Sequence, residues 1–259
     1  MGGVRCAILE GMEIPILYED EDSLVINKPV GLVVNRADSI TGQTVQEWVE
    51  NRDWFKAISP RFEDKLFQDR SGVCHRLDKE TSGCLLIAKK PESLKYYLDL
   101  FKERKLIKTY VALVHGRVEP ERGETILPLK RSLYDREKWQ VHYEGKRAVT
   151  AWKVIKRFTS PGHEHWRDAL TLLGLDLKTG RTHQIRVHLS FLGWPVFADD
   201  KYLNRKFARE DRKYLSHHFL HASSIEFVTF NGGKVLVEAE LPADCQKFLD
   251  VLEMGKLGC

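Results

Sequence analysis

The sequence predicts an α+β fold on a mostly antiparallel sheet, and three observations carry that expectation. Short apolar runs of strand length recur along the 259 residues, closed by turn signals. Residues 225–230 and 234–241 are joined by Asn231-Gly232-Gly233, residues suited to a hairpin turn. Helical patterns lie between such strands, and hairpin-linked strands with intervening helices give the α+β class.

Taken in order, residues 23–27 (SLVIN) read as a strand that Lys28-Pro29-Val30-Gly31 turns. Residues 84–88 form a second apolar strand. Pro91 opens a helix with Leu94, Tyr97, Leu98 and Phe101 at i, i+3, i+4, i+7. Residues 109–114 are a strand ended by His115-Gly116, and residues 170–177 another, turned by Lys178-Thr179-Gly180. Residues 182–192 read as a helix with Ile185, Leu189 and Leu192 on one stripe, Thr182 as its cap and Gly193 as its stop. Pro242 opens a last helix with Cys245, Phe248, Leu249 and Leu252 inward. Residues 132–148 are polar and poorly periodic, a long excursion from the sheet of a kind that often carries function. Residues 1–12 are expected to be an N-terminal tail and residues 13–259 a single domain.

A hydrophobic fraction of 42% supplies a core, and no apolar run approaches the roughly 18 residues of a membrane span. The N-terminus lacks the pattern of a signal peptide. Five cysteines, an odd number with no C-x-x-C pair, suit free thiols in a reducing compartment, so a cytoplasmic location is expected. Cys74 and Cys84 lie in apolar runs and read as packing rather than as catalytic thiols. Net charge is +4, and residues 201–213, with six bases and two acids, hold all of it. Residues 10–22 carry six acids and no base. Such asymmetry suits a polyanionic partner, and equally a solvated basic helix face.

Residues 75–83 read HRLDKETSG. Asp78 is set between Arg76 and Lys79 on the loop entering the strand at 84–88. Opposite charge within about 4–6 Å favours the carboxylate, and a fixed anion suits a nucleophile or a cation stabiliser better than a general acid. A structural salt bridge would use the same residues. Residues 179–188 (TGRTHQIRVH) crowd Gln184, His183, Arg181 and Arg186 beside a glycine turn. This assembly could attract phosphate, or supply an arginine to Asp78. Tyr110, near the start of its strand, could stack on a base, act as a general base or simply pack. Two other patterns point elsewhere. Asp78-Lys79-Glu80-Thr81 has the look of the DKTGT of aspartyl-phosphate enzymes, with Asp199-Asp200 as magnesium ligands, but the residues before Asp78 are not a buried strand. The histidines 163, 165, 217, 218 and 221 include one H-x3-H spacing, without a cysteine pair or an H-E-x-x-H motif, so no metal site is expected. Gly-rich phosphate loops are absent from the sequence, and no cofactor is expected.

These blocks together resemble the RluA-type pseudouridine synthases. The resemblance rests on HRLDKETSG followed by LLIAK, on KTYVALVHG at 108–116, and on LKTGRTHQIRVHLSFLGWPVFADDKY at 177–202. Fainter echoes are NKPVGLVV at 27–34, GKRAVTAW at 145–152 and LHASSIEF at 220–227. It implies a mixed, mostly antiparallel central sheet with flanking helices and a catalytic cleft, and isomerisation of uridine in RNA to pseudouridine. It implies Asp78 as catalytic aspartate, Tyr110 stacked on the base, and Arg186 paired with Asp78. Leu220 would form an apolar wall, with Arg76, Arg181 and His183 near the RNA. Ala198 departs from the family's usual glycine before Asp199. No upstream S4-like domain is expected. The implied partner is structured RNA, transfer or large-subunit ribosomal, with no DNA or membrane, and the chain acting as a monomer. Breaking a glycosidic bond this way needs neither redox change nor metal. The alternatives are an RNA-binding or RNA-folding protein of the same fold, and the magnesium-dependent phosphotransferase.

Overall fold

The structure, a computed structural model, describes residues 5–9, 12–37, 42–58, 64–159 and 169–255. In chain order the strands and helices are β1 (Arg5–Leu9), β2 (Met12–Glu19), β3 (Ser23–Lys28), α1 (Val45–Glu50), α2 (Asp53–Ile58), α3 (Lys65–Arg70), β4 (Ser82–Ala88) and α4 (Pro91–Glu103). There follow β5 (Ile107–His115), β6 (Arg122–Ile126), β7 (Leu129–Arg131), β8 (Trp139–Val141), β9 (Val149–Thr159) and β10 (Ala169–Leu177). The last are α5 (Gln184–Phe191), α6 (Arg205–Asp211), β11 (Leu220–Val228), β12 (Lys234–Glu238) and α7 (Ala243–Glu253). The chain divides into two compact units. The first comprises Met1–Ile107 and Ala222–Glu240, the second Lys108–His221 and Leu241–Cys259.

In the first unit, β1–β2, β2–β3, β3–β4 and β11–β12 pair antiparallel, and β4 neighbours β11. Residues 5–9, expected within a tail, instead extend this sheet as β1. Strand β4 is buried along its whole length, so its apolar run shows no alternation. Gly83 is required where β4 meets β11: its φ is +109°, and a Cβ there would lie 2.2 Å from the Ala222 carbonyl oxygen. Helix α1 starts at a reciprocal cap, in which the Glu47 N–H donates to Thr44 Oγ1 (3.3 Å) and the Thr44 N–H to Glu47 Oε2 (2.7 Å). Helix α4 begins at Pro91 as expected, but Leu100 rather than Leu98 joins Leu94 and Tyr97 in the core.

In the second unit, β5–β10, β10–β9, β9–β6 and β7–β8 pair antiparallel. Helix α7 buries Cys245, Phe248, Leu249 and Leu252, the stripe read from the sequence, among Leu113, Phe158, Phe197 and Phe219. The excursion at 132–148 contains β8, the second strand of a small hairpin with β7. Helix α5 is shorter than expected. His183, not Thr182, precedes it, at φ +54° with no side-chain cap. Its polar residues are not a wet face either: Gln184, Arg186 and His188 are all buried. His163, His165, Cys6 in its side chain, and Cys259 lie outside the described residues.

Candidate active site

In the first unit, Asp78 sits half-buried on the loop between α3 and β4. That loop is held from below. The Cys74 N–H donates to the Leu86 carbonyl (3.2 Å), and the Leu86 N–H donates to His75 Nε2 (3.0 Å), whose ring packs 4.9 Å from Phe101. The Thr81 N–H donates to the Asp78 carbonyl (3.1 Å), closing a turn before the strand starts. Arg76 and Lys79, the flanking bases, are exposed.

The buried cation is Lys28, at the end of β3 and 0% exposed. Its ammonium donates to the carbonyls of Pro29 (2.7 Å), Leu32 (2.9 Å) and Lys79 (3.2 Å). Three acceptors match the three N–H groups of a lysine. The Gly31 N–H also donates to the Lys79 carbonyl (2.9 Å). Lys28 thus ties the NKPVG turn to the turn that follows Asp78. Burial pushes its ammonium down to about 7, and the charge of Asp78 acts against that fall. By reciprocity, the ammonium favours the carboxylate of Asp78. The sequence shows Lys28 only as part of a turn. The available signal is a lysine ending an otherwise apolar strand, where a charge needs partners.

Cys74 and Cys84 are buried, and burial raises both thiols, Cys84 to about 12. They pack, as their apolar runs indicate, and neither resembles the low-pKa thiol of a nucleophile.

In the second unit, Tyr110 lies on β5, opposite Leu175 of β10, and is 5% exposed. Lys108, two residues earlier, is pushed down to about 8 by burial. The Gly180 turn passes close to it: a Cβ at Gly180 would lie 3.6 Å from Lys108 Nζ. Leu220, at the start of β11, is buried.

Gln184 is a structural latch. Its Oε1 accepts from Thr179 Oγ1 (2.7 Å) and the Arg181 N–H (3.1 Å), while its Nε2 donates to the Val149 carbonyl (2.9 Å) and Thr150 Oγ1 (3.0 Å). It fastens the GRTHQIR turn to β9. Arg181 is exposed, and its Nε donates to the Arg147 carbonyl (3.3 Å). His183 Nδ1 faces the Tyr202 hydroxyl at 2.8 Å, and that oxygen also accepts the Trp139 N–H at 2.9 Å.

Arg186 donates to both carboxylate oxygens of Asp199, from Nε at 2.7 Å and Nη2 at 2.8 Å, and its guanidinium lies 5.1 Å from the Tyr202 ring centroid. Asp199 Oδ1 also accepts the N–H groups of Lys201 (2.9 Å) and Tyr202 (3.1 Å). Burial alone would raise Asp199, but the Arg186 guanidinium outweighs it and holds the carboxyl below the ordinary range. With its oxygens so occupied, Asp199 is a poor magnesium ligand, which removes one leg of the phosphotransferase reading. Asp78 and Arg186, expected as a pair, belong to different units. Ala198 sits at φ +61°, a left-handed conformation costly for a residue with a Cβ. Its N–H donates to Asp211 Oδ2 (2.8 Å), and its carbonyl accepts from Arg212 Nε (3.1 Å).

Around Ala198, the basic segment 201–213 divides. Lys201 pairs with Glu137 (2.7 Å), Lys213 with Glu210, and Arg212 braces Ala198, whereas Arg205, Lys206 and Arg209 on α6 are exposed. On the β7–β8 hairpin, Tyr134 is exposed, and Lys130 pairs with Glu144 at 2.5 Å. Among the described residues no helix is long and apolar enough to cross a membrane.

A family profile for RNA pseudouridylate synthases matches residues 22–191. The chain is 33% identical to the uncharacterized RNA pseudouridine synthase YlyB of Bacillus subtilis, over 95% of this chain and 75% of that protein. It is 37% identical to ribosomal large subunit pseudouridine synthase D of Buchnera aphidicola, over 80% of this chain and 60% of that protein. A solved structure, human RNA pseudouridylate synthase domain containing 1, superposes with a TM-score of 0.67 at 26% identity, covering 93% of this chain and 94% of that one. With the profile spanning both HRLD and GRTHQIR blocks, the chain belongs to the RluA-type RNA pseudouridine synthases, isomerases that act on uridine in RNA.

Proposed function

We propose that this chain converts uridine to pseudouridine in RNA with Asp78 as the nucleophile. The observation that carries the reading is a half-buried aspartate at the entrance to a strand, on a turn tied down by a fully buried lysine that feels its charge. In the reaction the base leaves C1′ and turns. C5 then bonds to C1′ in place of N1, the C5 proton is lost and N1 gains one. Nothing is oxidised or reduced. The carboxylate bonds to C1′ as the bond to N1 breaks, and that C1′–O bond breaks in turn when C5 takes its place, which regenerates the carboxylate. Tyr110 stacks on the base, a contact worth about 1–3 kcal/mol, against the few kcal/mol needed to flip a base out of a stack. Arg186, braced by Asp199, presents its guanidinium to Asp78, and Leu220 walls the base. Arg76, Arg181 and His183 contact the RNA.

Large-subunit ribosomal RNA is the proposed substrate, because several relatives carry that substrate in their names; transfer RNA is the outcome to be tested against it. Arg205, Lys206 and Arg209, with bases of the β7–β8 hairpin, hold phosphates. The chain acts as a monomer in the cytoplasm, where its buried Cys74, Cys84 and Cys245 stay out of disulfides. The deciding experiment is tritium release from RNA labelled at uridine C5. Wild type should release tritium in step with the sites modified, and Asp78→Asn should release none while still binding. Equal binding with no release from either protein would make this an RNA-binding protein of the same fold.

A further inference from the structure

His217, Asp244 and Cys245 form a cluster that the isomerisation does not use. His217 lies between α6 and β11, and Asp244 and Cys245 are in the first turn of α7. His217 and Cys245 are buried, and the Asp244 side chain is 51% exposed. One donor atom from each residue lies within 4.8 Å of the other two.

The imidazole of His217 has an acceptor at each nitrogen. Nδ1 faces the His218 carbonyl oxygen at 3.1 Å, and Nε2 faces Asp244 Oδ2 at 2.9 Å. In the tautomer that donates Nδ1–H to that carbonyl, Nε2 is the ring's acceptor. In a neutral ring this leaves a lone pair on Nε2, aimed at a carboxylate that also only accepts. A cation between them, either a proton or a metal ion, satisfies both. An Nδ1–H donated to a backbone carbonyl is the usual posture of a metal-ligating histidine. The third donor supports the metal: Cys245 Sγ, which also packs in the α7 core, lies beside the pair and completes a nitrogen, oxygen and sulfur set that suits zinc. Bonds of about 2.0–2.3 Å at tetrahedral angles separate ligand atoms by roughly 3.3–3.6 Å. The 2.9 Å His–Asp spacing would open by about half an ångström to admit the ion, and the exposed side of Asp244 leaves a fourth position to water.

We propose that His217 Nε2, Asp244 and Cys245 Sγ bind a zinc ion that clamps the start of α7 to the segment ahead of β11. On binding, the Cys245 thiol gives its proton to solvent, and no electron is transferred.

The test is a titration of the full-length protein with cobalt(II), read by the cobalt–thiolate charge-transfer absorption. One equivalent should saturate the band, and zinc should displace it. Cys245→Ser should abolish the band. Loss of an outer-shell partner alone weakens a metal site about 10–100-fold, so Asp244→Asn, which removes a ligand, should weaken binding at least about tenfold. Asp244 is exposed enough for that variant to stay folded even if Cys245→Ser does not. Zinc should also raise the melting temperature of wild type and not of Cys245→Ser. No band at equimolar cobalt would overturn the proposal and leave a histidinium–carboxylate pair beside an inert thiol. A band retained in a folded Cys245→Ser protein would overturn it equally.

Discussion

Asp78 and Asp199 are two acids with different fates. Asp199 is fully buried, and Arg186 and two backbone N–H groups occupy its oxygens. Asp78 is half-buried, and the buried cation near it, Lys28, spends its hydrogens on three backbone carbonyls rather than on a carboxylate. One arrangement uses charge to fix an arginine. The other uses charge to hold the loop that carries the acid. The Arg186–Asp199 pair is in direct contact, whereas Lys28 acts on Asp78 through its charge.

That contrast breaks most sharply with Asp78→Asn and Asp199→Asn. Asp78→Asn should cut turnover by roughly three orders of magnitude or more, the scale of losing a nucleophile, with little change in the urea midpoint. Asp199→Asn should instead lower stability by about 3–5 kcal/mol, because it leaves a buried guanidinium without its counter-charge; urea denaturation measures this. If the two variants exchanged effects, the assignment of roles would be reversed. Arg186→Met should show both, losing stability and losing turnover far more than RNA affinity. Equal reductions in turnover and affinity would make Arg186 a phosphate ligand only.

Lys28 sharpens the comparison through pH. Burial holds it at about 7, against an ordinary lysine value of 10.5. Between these values the unfolded chain binds more protons than the folded one, so this group makes stability rise with pH across that window. Lys28→Met should flatten that slope; a slope unchanged in the variant would show that Lys28 is not the group titrating. The smallest effect is expected on the surface. Neutralising Arg205, Lys206 and Arg209 together should lessen the salt slope of RNA binding by about 0.7 for each phosphate they neutralise, and an unchanged slope would return α6 to a merely solvated face.

Much of the fold was legible because its signals are local. The α7 stripe, the Pro91 helix start and the Asn231-Gly232-Gly233 turn each follow from neighbours in sequence. The apolar runs of β4, β5 and β10 were legible for the same reason. The capping box at Thr44 and Glu47 was there to be read, but α1 is only six residues long and gives almost no periodicity. Strands β1, β6 and β9 were missed because edge and bulged strands mix polar and apolar residues, and pairing decides them. The candidate site residues are named by their motifs, whereas neither the burial of Lys28 nor the Asp199 partner of Arg186 is written in a motif. Residue type alone does not tell which charge is buried or what faces it.

The sequence by itself determined the fold class, the loop that carries Asp78 and the family, because strand runs, turns and ordered motifs are encoded within short stretches of chain. Only the tertiary structure decided that Lys28 is the buried cation near Asp78, that Gln184 is a latch and that Arg186 pairs with Asp199. The physical reason is desolvation: the state of a charge depends on which distant backbone carbonyls and carboxylates surround it once water is excluded, and those neighbours are assembled only when the chain has folded.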